Sequence, residues 1–142
     1  MRNWFFGLLF VLVATVAFGG ADFGVPATDS SVSFFENISV SQAVVLLEQW
    51  GTSPNLVILD VRSESEFRNG HLAGALQINV LENDFCDRVS QLDSRKTFLV
   101  YCHAGSRSKK AMLLMKGLGF LRVYNMEGGF SNWKAKGYDF VQ

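Results

Sequence analysis

The chain reads as an α/β domain, a parallel sheet with helices on both faces. Two observations predict it. Short continuous apolar runs, Leu56–Leu59 and Thr97–Tyr101, have the composition of strands covered on both sides. Segments with apolar residues at helical spacing alternate with those runs. The length, 142 residues, suits one compact domain.

The first 21 residues stand apart. Arg2 and the amino terminus are positive, Trp4–Phe18 carries no charge, and Gly19, Gly20 and Ala21 follow before Asp22. That is the layout of a signal peptide with a cut after Ala21, so the expected location is export, to the periplasm. A retained membrane anchor facing the periplasm or the exterior is the competing reading, because about 18 apolar residues can just cross a bilayer. Residues 22–36, rich in Gly, Ser and Asp with one Pro, are expected to be a linker, and 37–142 the domain.

Ser39 with Gln42 three residues on is a capping-box signature. Val40, Ala43, Val44, Leu47 and Trp50 follow at helical spacing, and Gly51 and Pro54 end the helix. Leu56–Leu59 is a strand ending at Asp60, and Ala75–Val80 a second candidate strand. Leu81, Phe85, Val89 and Leu92 predict a helix over 81–92. Thr97–Tyr101 is the clearest strand and runs directly into Cys102. Ser106–Met115 predicts a helix with Ala111, Leu114 and Met115 facing inward, stopped by Gly117 or Gly119. Leu121–Tyr124 predicts a strand, and Phe130–Lys136 a last helix stopped by Gly137. The pattern does not set the strand order.

Thirteen Lys and Arg balance thirteen Asp and Glu, so no basic excess exists for gripping nucleic acid. Two cysteines, Cys86 and Cys102, are too few for a disulfide framework. They and the two histidines, His71 and His103, show no metal-ligand spacing; neither a metal nor a cofactor is expected. Cys86 reads as a packed small hydrophobe on its helix or as a resolving thiol for Cys102.

The segment YCHAGSRSKK carries the chemistry. Ligands of open α/β sheets bind at the carboxyl ends of strands, and Cys102 lies at such an end. His103, Ala104, Gly105 and Ser106 form a short loop of small or polar residues that opens a helix at Arg107 and Ser108. A loop curling back to a helix N-terminus aims several backbone N–H groups at one point, a nest for an anion. A thiolate there is stabilised and its pKa falls. Arg107 adds positive charge and a planar donor fork suited to oxyanions. Lys109 and Lys110 make the mouth more positive or are simply solvated. Gly105 supplies a positive φ if the turn requires one. His103 either faces solvent or handles substrate. Ser106 and Ser108 either donate to bound sulfur or oxyanion or, for Ser106, cap the helix. Trp50, Phe120, Tyr124 and Trp133 read as core, with Trp133 on a segment that could flank the pocket.

Four stretches resemble the rhodanese-like family: Asp60-Val61-Arg62 with Glu66-Phe67; Gly70-His71-Leu72-Ala73-Gly74-Ala75 leading to Ile78-Asn79; Tyr101-Cys102 through Arg107-Ser108; and Gly128-Gly129 with Trp133 and Gly137-Tyr138. Together they cover about 38–140. The family's usual proline after the last motif is Asp139 here. The resemblance implies a parallel sheet of five strands and transfer of sulfane sulfur from a donor such as thiosulfate to a thiophilic acceptor, cyanide or a thiol. Cys102 would carry the persulfide, the backbone of His103 to Arg107 would cradle its outer sulfur, and Arg107 would close the loop as a catalytic residue. Asp60, Arg62 and His71 would be supporting groups that set the surrounding loops. Cys102 to Arg107 spans six residues, the loop length of sulfurtransferases; phosphatase relatives have one more. The alternative function is a low-turnover sulfur-carrier or redox partner acting with a specific protein. Small sulfur donors and thiophilic acceptors, a protein acceptor among the candidates, and a monomeric state complete the expectation.

Overall fold

The computed structural model describes residues 32–142. The expected leader, 1–21, and most of the expected linker lie outside them. The elements run β1 (Phe34–Ile38), α1 (Val40–Trp50), β2 (Leu56–Asp60), α2 (Glu64–Arg68), β3 (Leu76–Gln77), α3 (Phe85–Val89), β4 (Thr97–Tyr101), α4 (Ser106–Gly117), β5 (Arg122–Met126) and α5 (Gly129–Ala135). The five strands form one sheet in the order β1-β5-β4-β2-β3, and every pairing is parallel. The α/β class and the five-stranded sheet expected above are therefore what the chain adopts.

Strand alternation sorts the core into two halves. Phe98 and Val100 of β4 join Val89 of α3 and Ala111, Met112 and Met115 of α4 on one face. Leu99 and Tyr101 join Ala43 and Leu46 of α1 and Phe130 and Trp133 of α5 on the other. All five residues of β4 are buried, because β4 is paired on both edges and covered on both faces. That double cover explains why its sequence was so legible.

Several boundaries differ from expectation. β1 begins at Phe34, inside the stretch read as linker to residue 36. As an edge strand it needs only β5 beside it, from Phe34 opposite Arg122 to Ile38 opposite Met126, and Glu36 and Asn37 stay exposed. The strand expected over 75–80 is two residues long, although Ile78 N–H still donates to Asp60 O and Val80 N–H to Val61 O. The helix expected over 81–92 shrinks to α3, because Asn79 Oδ1 accepts from Leu81 N–H and turns the chain before Phe85. In α1 the buried stripe is Val40, Ala43 and Leu46, with Val44, Leu47 and Trp50 partly buried against it. α2, which the pattern missed, has its own capping box: Ser63 Oγ accepts from Glu66 N–H and the Glu66 side chain accepts from Ser63 N–H.

One buried ion pair ties the carboxyl edge of the sheet together. Arg62 donates to both carboxylate oxygens of Asp60, at 2.6 Å for the closest contact, and to Gly70 O at 2.7 Å. Its guanidinium lies 4.3 Å from the Phe130 ring centroid. Tyr101 adjoins the pair, its ring centroid 5.5 Å from the Arg62 guanidinium carbon, and accepts from Leu72 N–H. His71 stacks on Phe67 at 3.6 Å and exchanges backbone hydrogen bonds with Val141, which pins the tail. Asp60, Arg62 and His71 thus hold segments in place. Asp60→Ala would leave Arg62 charged and unpaired in the interior, so urea unfolding should show a loss of about 3–5 kcal/mol.

Candidate functional site

Cys102 follows β4 at the carboxyl edge of the sheet and is 1% exposed. Its Sγ accepts from Gly105 N–H at 3.1 Å and from Ser108 Oγ at 3.4 Å. Burial, the largest single influence, pushes the thiol pKa up. Hydrogen bonds from the Ser108 hydroxyl and from the backbone N–H groups of Ser108, Gly105 and Ala104 outweigh it and leave the pKa below the ordinary thiol value. These donors converge on the sulfur itself.

Two glycines make the loop possible. Gly105 has φ +106°, and a Cβ on it would sit 3.2 Å from Gly128 N. Gly129 has φ +55°, and a Cβ there would meet Cys102 O at 2.4 Å. That closeness lets the first turn of α5 hold the loop from outside: Phe130 N–H donates to Cys102 O at 2.8 Å, and Ser131 N–H to His103 O at 2.9 Å. The Gly128-Gly129 motif thus belongs to the site's frame, a role sequence reasoning did not assign. Trp133 is buried in the core beneath this segment, and its Nε1 donates to Asp139 O.

The donor fork of Arg107 holds a carboxylate: Nη1 donates to Glu66 Oε2 at 2.8 Å and Nη2 to Glu66 Oε1 at 2.7 Å. The Arg107 hydrogen bonds, opposed by partial burial and helped by the Ser63 contacts, lower the Glu66 pKa to about 2. Arg107 still lies close enough to Cys102 for their charges to interact. Glu66 belongs to the Asp60-to-Phe67 stretch and carries no expected site role; its capping-box spacing from Ser63 is the sequence signal for its helix.

The remaining residues divide plainly. Ala104 and Gly105 give amides to the sulfur. His103 is exposed and contributes its carbonyl to the frame. Ser106 is exposed and opens α4, whose N-cap position is taken by Gly105, without a side-chain cap. Ser108 is fully buried, and its hydroxyl faces both Sγ and Gly105 O. Cys86 is a free thiol packed against the α3–α4 core, and Cys102 is free as well. Among the described residues no group of three or more His, Cys, Asp or Glu could hold a metal ion. No helix among them is long and apolar enough to cross a membrane.

Two outcomes follow from this geometry. Gly129→Ala should push the Cys102–His103 backbone out of place and reduce turnover by roughly a hundredfold, with the thiol pKa rising in an alkylation titration. The Glu66 carboxylate has a folded pKa below its ordinary 4.5, so the stability it lends is complete above 4.5 and is lost as pH falls from there to about 2. Denaturant midpoints followed through that window should fall more steeply for wild type than for Glu66→Gln.

The comparisons agree with this architecture. A family model described as the rhodanese-like domain matches residues 43–136. The chain is 32% identical to the thiosulfate sulfurtransferase GlpE of Shewanella oneidensis over 102 residues, 72% of this chain and 95% of that protein. It is 32% identical to the GlpE of Tolumonas auensis over 104 residues, 72% of this chain and 92% of that protein. Among solved structures, a rhodanese-related protein from Thermoplasma volcanium superposes with a TM-score of 0.65 at 25% identity, over 75% of this chain and 98% of that one. The rhodanese-like domain of a protein from Anabaena gives 0.63 at 29% identity, over 74% and 77% respectively. With its sheet order, its cysteine loop and these matches, the chain belongs to the rhodanese-like domain family.

Proposed function

We propose that this protein is a sulfurtransferase that moves sulfane sulfur through a persulfide on Cys102. The observation that carries the reading is the environment of Sγ, a buried sulfur surrounded by N–H and O–H donors that favour its anion. The relatives named thiosulfate sulfurtransferase supply the reaction class.

The thiolate attacks the outer sulfur of a donor. The Sγ–S bond forms as the donor's S–S bond breaks, and the electron pair of that bond leaves with the departing group, sulfite when thiosulfate is the donor. Cys102 then holds a persulfide, and a thiophile such as cyanide or a thiol removes its outer sulfur and restores the thiolate. No proton needs to be given to a sulfite leaving group, so the step calls for no general acid. The amides stabilise negative sulfur before and after loading.

Ser108 contributes a switchable proton. Its single hydroxyl hydrogen has two acceptors, Gly105 O at 3.1 Å and Sγ at 3.4 Å. Against a neutral thiol the carbonyl is the better partner. Against a thiolate the charged sulfur competes for it.

We further propose that the chain is exported, with small sulfur compounds as donors and cyanide or a thiol, including a protein thiol, as acceptor. The export proposal is supported by the residue pattern of 1–21, and N-terminal sequencing of the mature protein checks it.

Incubation with thiosulfate followed by intact-mass measurement should show one added sulfur, lost again on cyanide treatment and absent in Cys102→Ser. Failure of every sulfane donor to load the cysteine would sink the proposal. The rate should rise with pH through a thiol pKa below the ordinary 9.0. In Ser108→Ala that rise should move to the alkaline side, with roughly a tenfold loss near neutral pH.

A further inference from the structure

We infer that Glu66 is a selectivity residue: by occupying the Arg107 fork it sets the site against dianionic sulfur donors and in favour of monoanionic ones. The inference rests on the persulfide reading of Cys102. It names the class of donor that site favours, a sulfane sulfur compound with a single negative charge, such as a thiosulfonate, over the dianion thiosulfate.

A donor must bring its outer sulfur to the buried Sγ, while its oxygen-bearing head stays at the rim. Arg107 is the only formally cationic side chain between Cys102 and Ser108. Both its terminal nitrogens point to Glu66, and the pair is neither buried nor free, with side chains 25% and 32% exposed. The guanidinium charge at the loop is therefore answered by a carboxylate already in place. The attraction left for an anion comes mainly from amide dipoles, and those converge on one sulfur atom. A monoanion that places its charged sulfur in the nest matches this supply. A dianion brings a second charge that faces the Glu66 carboxylate without a free cation in the loop. Lys109 and Lys110 are exposed on α4, and any attraction they add acts on both kinds of donor. One extra unit charge near an uncompensated carboxylate corresponds to a discrimination of roughly fivefold to tenfold, once solvent screening is allowed for.

The loading step is the same for both donors. With thiosulfate, the Cys102 thiolate takes the outer sulfur and sulfite leaves as a dianion. With methanethiosulfonate, it takes the outer sulfur and methanesulfinate leaves as a monoanion. In each case one S–S bond forms, one breaks, and the total charge is conserved.

The experiment measures kcat/KM for both donors, with cyanide as acceptor and the full chain as enzyme. In a ping-pong cycle that constant reports loading alone. Dividing the donor ratio of a variant by that of wild type cancels the different leaving-group reactivities and the common effect of the lysines. Glu66→Gln retains an N3 capping residue for α2. It should shift the ratio towards thiosulfate by roughly fivefold to tenfold, chiefly through KM. Arg107→Gln, which leaves Glu66 unpaired, should shift it the opposite way, and Glu66→Asp, which keeps the charge, should stay near wild type. Equal changes for both donors in Glu66→Gln, or shifts of the same sign in Glu66→Gln and Arg107→Gln, would overturn the inference. Absence of persulfide on wild-type Cys102 with either donor would instead overturn the sulfurtransferase reading beneath it.

Discussion

The site depends on the direction in which two peptide planes face. A trans peptide is a rigid unit whose carbonyl and following N–H point opposite ways. Cys102 O and His103 O are drawn outward by Phe130 N–H and Ser131 N–H, and the Ala104 N–H, on the far side of the second of these peptides, turns to the sulfur. Anchoring the carbonyls from outside is therefore the same act as aiming amides inward. The anchor works only because Gly129 has no side chain, since a Cβ there would occupy the place of Cys102 O. A helix turn nearly thirty residues downstream thus determines the polarity around the reactive sulfur.

The fold was legible where a residue's environment repeats along the chain. β4 is apolar throughout because it is enclosed on every side, and α1 announces itself through Ser39 and Gln42. β1 was hidden because an edge strand takes its hydrogen bonds from one neighbour and leaves Glu36 and Asn37 in solvent, so its composition resembles a linker. α3 was overextended because Leu81 has the right spacing for the helix yet lies in the turn before it, fully 63% exposed. The cysteine loop was legible as chemistry, since residue types and chain order alone place Cys102 between a strand and a helix. The partner of Arg107 was not. Glu66 is 41 residues earlier in the chain, and no periodicity connects a capping residue of one helix to the first turn of another.

The two ion pairs near the carboxyl edge of the sheet divide the work. Asp60 and Arg62 are almost wholly enclosed, and their hydrogen bonds reach Gly70 O and the Arg62 backbone N–H. Charges so enclosed are tolerated only when each is matched, which makes the pair a geometric fixture more than a source of potential. Glu66 and Arg107 remain partly exposed, so their mutual neutralisation is softer and open to competition by an incoming anion. Positive potential for chemistry is consequently not supplied by a free cation. It comes from amides fixed by the backbone, which need no reorganisation when charge appears.

That choice suits a sulfur carrier for a physical reason. Loading moves the negative charge from Sγ to a second sulfur one S–S bond away, about 2 Å. A single guanidinium placed against Sγ would favour one of these two positions and oppose the transfer between them. N–H donors from Ala104, Gly105 and Ser108, with a hydroxyl that can turn, hold the negative sulfur without setting a fixed cation against one of the two positions. Burial raises the energy of any unsolvated anion in the loop, and the same low-dielectric surroundings strengthen each donor's hold on it. The lowered thiol pKa of Cys102 is the sign that the donors prevail, and holding Arg107 against Glu66 keeps a fixed cation from tilting that balance.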